Sequence, residues 1–251
     1  MRSNSGAILG LTLLAVVLTA APARADDAPQ NCEVPVYLLE SESALPKVAD
    51  AVKSGHLDIL VLGSRSSTIT TSEASAYPAR LQAILREKLP AVAVNVSVEL
   101  QAKKTAEEVA AGLVKLMEGK KPTLVIWQTG TVDAMRSVNL DDFRSAVDGG
   151  IAALQNTGAD VILMNLQYSP STETMTSAPP YLDNLRVVAQ QHDVPLFDRF
   201  AIMRQWNDSG DFDLFNASHG LDLAKRVHDC LGRALSTFVI AAAHITPAQQ
   251  N

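Results

Sequence analysis

Three serines follow a short apolar run near the start of the chain's globular part. The run at 57–62 is typical of a β-strand, and it is followed by Gly63 and then by Ser64, Ser66 and Ser67. A predicted helix comes next, so these serines lie in a strand-to-helix turn. In such a turn a serine hydroxyl can project into a cleft while nearby backbone N–H groups bind an oxyanion. The alternative is a turn without chemistry, because serine and glycine also favour ordinary turns.

A histidine that could activate such a serine precedes the last predicted helix. A neutral imidazole at His219 can act as a general base towards a serine hydroxyl, provided that an acceptor orients its ring. Asp213 and Asn216 lie six and three residues before it, and either side chain offers an acceptor. Three other histidines are predicted to be surface or core residues: His56, His192 and His228.

A polar loop containing glycine follows the third apolar run. The side chains of Gln128 and Thr131, and backbone N–H groups around Gly130, could donate to an oxyanion. The alternative is structural, with Gly130 permitting the turn and Asp133 capping the next segment.

Five β-rich apolar runs alternate with segments of helical period. The predicted strands cover residues 57–62, 92–98, 123–127, 160–165 and 194–197, and the predicted helices cover 77–89, 105–117, 140–155, 181–191 and 221–239. This alternation predicts an α/β domain with a parallel sheet covered by helices on both faces, and functional residues after the strands. Residues 167–180, rich in Ser, Thr and Pro, are predicted to form a loop at that edge.

The first 25 residues predict an export signal. Arg2 precedes an apolar stretch at 7–21, and Ala23-Arg24-Ala25 is a small-x-small cleavage pattern. The stretch is shorter than the roughly 20 residues that cross a bilayer, so no membrane span is expected after cleavage. We therefore expect a periplasmic or secreted protein with one domain over 26–251.

The cysteines and the net charge indicate which bonds and which partners to expect. Cys32 and Cys230 are the two cysteines, and in an oxidising compartment we predict a disulfide between them, the alternative being two separate buried thiols. The formal net charge is −6 and no Lys/Arg-rich run occurs, which argues against a nucleic-acid partner.

In this order and spacing, the segments resemble the blocks of the SGNH (GDSL-type) hydrolase family across nearly all of 26–251. Many exported relatives have Gly-Ser-Ser-Ser-Thr and then Tyr-Pro-Ala-Arg-Leu, which residues 63–68 and 77–81 match. The resemblance implies the SGNH fold, a flavodoxin-like three-layer α/β/α sandwich with a five-stranded parallel sheet. It also implies ester cleavage by a serine and a histidine, with no metal or cofactor.

The first block departs from the family's Gly-Asp-Ser. Counting strictly from Gly63 places Arg65 at the nucleophile position, whereas one residue inserted in the turn places Ser66 there. We favour Ser66 as the nucleophile and keep Ser64 as the alternative.

The other three blocks depart as well. Lys103 stands where the second block has glycine, so only its backbone N–H could serve the oxyanion. Val132 replaces the asparagine of the third block, and Asn216 replaces the acid of the last block's Asp-x-x-His. Losing one oxyanion donor lowers turnover about 10²- to 10³-fold.

Two hypotheses follow from the resemblance. The first is an exported serine esterase or acyl/acetyl hydrolase, acting on a small-molecule, glycan O-acetyl or lipid ester. In it Ser66 attacks, His219 takes the proton, and Asp213 or Asn216 orients the imidazole. Backbone or side-chain groups of Lys103, Gln128, Gly130 and Thr131 would bind the oxyanion. The alternative is a catalytically inactive binding protein on the same fold.

Overall fold

The computed structural model describes residues 32–214 and 220–246. Its centre is a five-stranded, all-parallel sheet in the order β2-β1-β3-β4-β5. The strands are β1 (His56–Gly63), β2 (Ala93–Leu100), β3 (Leu124–Gln128), β4 (Asp160–Met164) and β5 (Leu196–Phe197). The five-stranded parallel sheet expected from the sequence is thereby confirmed.

Ten α-helices are found in the described residues. They are α1 (Pro46–Ser54), α2 (Tyr77–Lys88), α3 (Ala106–Ala110), α4 (Leu113–Met117), α5 (Thr131–Met135), α6 (Leu140–Gln155), α7 (Pro170–Met175), α8 (Ala178–Gln191), α9 (Arg199–Asp208) and α10 (Gly220–Ala242). Right-handed crossovers place α2 on one face of the sheet and α3, α6 and α8 on the other, because the connection from β1 to β2 runs in one direction along the sheet and the later connections run in the opposite direction. Helix α10 packs against α2, whereas α6 packs against α3 and α8.

Burial follows the position of each strand in the sheet. All five residues of the central strand β3 are buried, including Trp127, because helices cover both of its faces. The edge strand β2 buries few side chains, and Leu100 at its end is exposed. The carboxyl ends of β1 and β3 therefore emerge side by side from the most buried part of the sheet.

Several predicted helices differ in detail from the structure. The segment predicted as one helix over 105–117 is two short helices, α3 and α4, with Gly112 between them. Helix α8 begins at Ala178, three residues before the predicted start, with prolines in its first turn, where a missing N–H costs nothing. The predicted loop at 167–180 contains helix α7, and helices α1, α5 and α9 were not predicted.

The disulfide between Cys32 and Cys230 is present, with 5.3 Å between the two Cα atoms, which confirms that prediction. It attaches the first described residues to α10, and the indole N–H of Trp206 donates to the carbonyl of Glu33 at 2.9 Å beside it. Of the helices in the described ranges, none is long and apolar enough to span a bilayer. The predicted signal segment lies outside the described residues and stays a prediction.

Candidate active site

The serine turn begins where β1 ends. Ser64, Ser66 and Ser67 occupy a short 3-10 turn directly after Gly63, and Ser67 folds back so that its hydroxyl accepts the backbone N–H of Ser64 at 3.1 Å. A Cβ at Gly63 would lie 2.5 Å from the Ser67 Oγ, so only glycine allows this fold-back. Arg65 is exposed, whereas Ser66 points towards the neighbouring strand end.

Gln128, the last residue of β3, bridges the serines. Its Nε2 donates to the Ser64 Oγ and to the Ser66 Oγ, each at 2.8 Å. Its Oε1 accepts the Ser67 hydroxyl at 2.6 Å and the Tyr77 hydroxyl at 3.3 Å. The amide is buried and all its polar atoms are engaged, so it holds the serine turn in one arrangement.

A buried arginine also contacts Ser66. Arg199 is 1% exposed, and its Nη1 donates to the Ser66 Oγ at 3.1 Å while its Nη2 donates to the Ser66 carbonyl at 3.3 Å. Its guanidinium lies 5.7 Å from the centre of the Tyr77 ring, and its Nε has no hydrogen-bond partner. Among residues 32–214 and 220–246 it makes no ion pair. Burial lowers the pKa of Arg199 to about 10, so the group is still charged at neutral pH.

The end of β4 fixes the start of α9, where Arg199 is the first residue. The fully buried Asn165 donates from its Nδ2 to the Asp198 Oδ1 at 2.7 Å and accepts the backbone N–H of Phe200 at 2.9 Å. Asp198 in turn caps the helix by accepting the backbone N–H of Ala201 at 2.9 Å. These bonds hold the backbone on both sides of Arg199 and thereby direct its side chain to the serine turn.

A cleft of about 580 Å³ opens over the serine turn. It is lined by Ser64, Arg65, Ser66, Lys103, Thr131, Val132, Met135, Arg136 and Gln167. Three residues that the sequence proposed for the site, Ser66, Lys103 and Thr131, thus share one cleft. Gln128 and Gly130 line a smaller cavity that also includes Ser64 and Thr131.

The proposed oxyanion residues have defined local contacts. Lys103 adopts a left-handed conformation with φ of 64°, and its carbonyl accepts from the Arg136 Nη2 at 2.8 Å. Gly130 has φ of 94°, which glycine tolerates, and the Thr131 Oγ1 accepts the backbone N–H of Gln167 at 3.3 Å. Both Gln128 amide protons point at serine hydroxyls, so a bound oxyanion would have to displace one of them. Asp133 lies within α5, and its carboxylate accepts the Ala106 N–H at the start of the earlier helix α3 at 2.9 Å, instead of capping the segment that follows it as the structural alternative expected.

The exposed His56 and the half-buried His192 hydrogen-bond to Asp58 and Asp148, and neither lines the cleft over the serine turn. His228 is buried, and its Nδ1 accepts the backbone N–H of Tyr77 at 2.9 Å. Burial and the nearby Arg199 charge lower the pKa of His228 to about 3, so it is a neutral core residue. His219 and Asn216 lie outside the described residues, and the roles proposed for them and for Asp213 stay predictions. No group of three or more His, Cys, Asp or Glu side chains in the described chain could hold a metal ion.

Sequence reasoning missed Arg199, and it did not anticipate the part played by Ser67 and Tyr77. A signal for Arg199 was present, because it stands two residues after the fifth predicted strand, at the edge where functional residues are expected. Buried cations without an acidic partner are rare, however, and the sequence does not show whether a single arginine at the start of a helix is buried or solvated.

Comparison with solved structures supports the same fold. A lipase/acylhydrolase from Enterococcus faecalis superposes with a TM-score of 0.60 at 19% identity, covering 77% of this chain and 100% of that chain. An acetyl-xylooligosaccharide esterase from Geobacillus gives a TM-score of 0.61 at 16% identity, covering 78% and 99%. A psychrotrophic esterase from Pseudoalteromonas gives 0.53 at 16% identity, covering 72% and 98%.

The family comparison covers most of the chain. A comparison with curated proteins finds no match. A family model described as the Non-GDSL lipase-like family matches residues 31–245, from the disulfide-linked N-terminal segment to the end of α10. Together with the fold, this match confirms the resemblance to SGNH/GDSL hydrolases, and the chain belongs to the Non-GDSL lipase-like family.

Proposed function

We propose that the protein is an ester hydrolase in which Ser66 is the nucleophile. The observation that carries this proposal is the position of the Ser66 hydroxyl, which lines the cleft while accepting hydrogen bonds from Gln128 and from the buried Arg199. A positive charge beside a hydroxyl favours its alkoxide form, which is the form that attacks an ester carbonyl.

The proposed reaction has two steps. Ser66 Oγ forms a bond to the carbonyl carbon, its proton passes to His219, and the alcohol leaves with that proton. Water then attacks the acyl-Ser66 ester with His219 again accepting a proton, which releases the acid and restores the hydroxyl. Asp213 or Asn216 would orient the imidazole.

In this proposal Arg199 takes over part of the role that the family's asparagine has in stabilising the oxyanion. Val132 has no hydrogen-bond donor in its side chain, yet the guanidinium of Arg199 places a full positive charge within hydrogen-bond distance of the nucleophile. In a buried setting such a charge stabilises the negative charge that develops on the substrate. Backbone N–H groups of the serine turn, Lys103 and the Gly130 loop would complete the site.

The proposed substrates are acyl or acetyl esters met outside the cytoplasm. Solved relatives of the same fold include an acetyl-xylooligosaccharide esterase and a lipase/acylhydrolase, so carbohydrate O-acetyl and lipid esters are the classes to try first. Export through the segment at 1–25 is part of the proposal, and the Cys32–Cys230 bond suits an oxidising compartment.

A specific observation favours the second candidate, a binding protein that has lost catalysis. Both N–H groups of Gln128 are bonded to Ser64 and Ser66, so neither is free for an oxyanion. Val132 stands in place of the family's asparagine and has no side-chain donor. In that case the cleft would bind an ester without cleaving it.

Turnover of p-nitrophenyl acetate separates the two candidates. The proposal expects hydrolysis by the purified protein that falls at least about 10³-fold in Ser66→Ala and in His219→Ala. Ser64→Ala is the matched control for the alternative nucleophile, and it is expected to lose about tenfold or less. Absence of turnover in the unsubstituted protein favours the binding protein.

A further inference from the structure

The cleft is lined by cations although the chain as a whole is acidic. Arg65, Lys103 and Arg136 are among its lining residues, and the described lining contains no Asp or Glu. The formal net charge of the chain is −6. Random placement of charge on such a surface would favour carboxylates, so the positive rim is a local feature of this cleft.

Two of the three cations are available to a ligand. Arg136 is shared with the Glu108 carboxylate at 3.3 Å and with the Lys103 carbonyl. Arg65 and Lys103 make no ion pair with any residue in the part of the chain that the structure describes, and Arg65 is exposed at the rim. Their charged ends are free to meet a group in the cleft.

A fourth cation, Arg199, lies buried behind Ser66, which lines the cleft. Arg199 is 1% exposed, lacks a carboxylate partner among the described residues, and has an unpaired Nε. Its Nη1 contacts the Ser66 Oγ, and Ser66 lines the cleft. A buried charge is usually paired with an opposite one, so a guanidinium without a carboxylate partner, bonded to a residue of a cleft lined by cations, favours a ligand that brings negative charge.

We propose that the cleft selects an anionic ester, one that carries a carboxylate or phosphate close to the bond that Ser66 cleaves. Arg65 and Lys103 bind that charge, while Arg199 acts on the reacting atoms. Free guanidinium and ammonium groups pair with both kinds of anion. This inference rests on the proposed ester cleavage at Ser66 and adds the charge of its substrate.

Paired substrates that differ in one charge test the inference. The first pair is 4-acetoxybenzoate and its uncharged methyl ester, with the charge on the alcohol side. The second is p-nitrophenyl hemisuccinate and p-nitrophenyl butyrate, with the charge on the acyl side. We expect a lower KM for the anionic member of at least one pair, and the pair that responds shows which side of the ester faces the rim.

Charge removal at the rim should abolish this preference. In the double variant Arg65→Gln/Lys103→Gln, the KM ratio of the charged to the neutral ester should rise by about fivefold, the scale of one or two solvent-exposed ion pairs. Lys53→Gln, which removes an exposed lysine on α1, is the matched control and should leave the ratio unchanged. Competition by benzoate and by inorganic phosphate distinguishes the two anion types. An unchanged ratio in the double variant overturns the inference.

Binding to Ser66→Ala keeps the inference testable apart from catalysis. Ligand-observed NMR of this variant should show tighter binding of 4-acetoxybenzoate than of its methyl ester, and the preference should vanish when Arg65→Gln/Lys103→Gln is added. If the anionic ester binds more tightly but the unsubstituted protein hydrolyses neither ester, the proposed hydrolysis is wrong and the anion selectivity is supported. If the protein hydrolyses both esters and binds them equally well, the hydrolysis is supported and the anion selectivity is wrong.

Discussion

The guanidinium of Arg199 lies 3.1 Å from the hydroxyl oxygen of Ser66, across 133 positions of sequence. The contact joins the start of α9 to the turn after β1, and Gln128 at the end of β3 completes it from a third element. Three strand ends therefore converge on one hydroxyl. This convergence is the structural basis for proposing the serine turn as the active site.

Replacing Arg199 should separate catalysis from stability. In Arg199→Met the positive charge beside Ser66 is lost, and we expect kcat/KM for p-nitrophenyl acetate to fall about 10²- to 10³-fold. The free energy of unfolding should be unchanged or higher, because a buried charge without a carboxylate partner is costly to desolvate. Arg199→Lys keeps the charge and should retain more activity than Arg199→Met. Equal activity of Arg199→Met and the unsubstituted protein would refute a catalytic role.

His228 should make folding sensitive to acid. The folded protein keeps the imidazole neutral down to about pH 3, whereas the unfolded chain takes up a proton near the ordinary value of 6.5. Its pKa is lowered by folding, so this group's contribution is intact above pH 6.5 and stability falls as the pH drops towards 3. At pH 5 the loss is about 2 kcal/mol.

The matched variant for this effect is His228→Asn, whose Oδ1 can accept the Tyr77 N–H in place of Nδ1. Urea unfolding of both proteins between pH 7 and pH 5 isolates the histidine from the titrating carboxyl groups. We expect the stability advantage of the unsubstituted protein over His228→Asn to shrink by about 2 kcal/mol over that range. A constant difference across the range would show that His228 is not kept neutral by the fold.

Reducing the disulfide should destabilise the domain strongly. The bond closes a loop with a sequence separation of 198, and in the chain-entropy description such a loop stabilises by about 5 kcal/mol. Urea unfolding with and without a reductant measures the change, and the double variant Cys32→Ala/Cys230→Ala should match the reduced protein. Identical midpoints under both conditions would mean that the bond contributes nothing to stability.

The sheet was predictable because its signals are local. A parallel strand that is buried on both faces has a mostly apolar sequence. The runs at 57–62 and 123–127 are short, mostly apolar and bounded by turn residues. Helix α9 was harder, because it starts directly after the two-residue strand β5 and only the spacing of Phe200, Met203 and Trp206 marks its buried face.

The site was only partly predictable because its key contacts are between distant elements. The placement of Ser66 after β1 and of Gln128 at the end of β3 followed from strand order, since the ends of neighbouring parallel strands meet at one edge. That Gln128 uses both N–H groups on serines, and that Arg199 is buried rather than solvated, depends on packing that no single segment encodes. The contribution of His219 is still a prediction.

Mapping a fluorophosphonate adduct tests the central claim, nucleophilic catalysis by Ser66, most directly. The purified protein is treated with the probe, digested, and analysed by peptide mass spectrometry, with Ser66→Ala and Ser64→Ala treated in parallel. We predict one phosphonate on Ser66, its absence in Ser66→Ala, and its persistence in Ser64→Ala. An adduct on Ser64 or on another residue, or no adduct in a protein that hydrolyses esters, would contradict the assignment of Ser66.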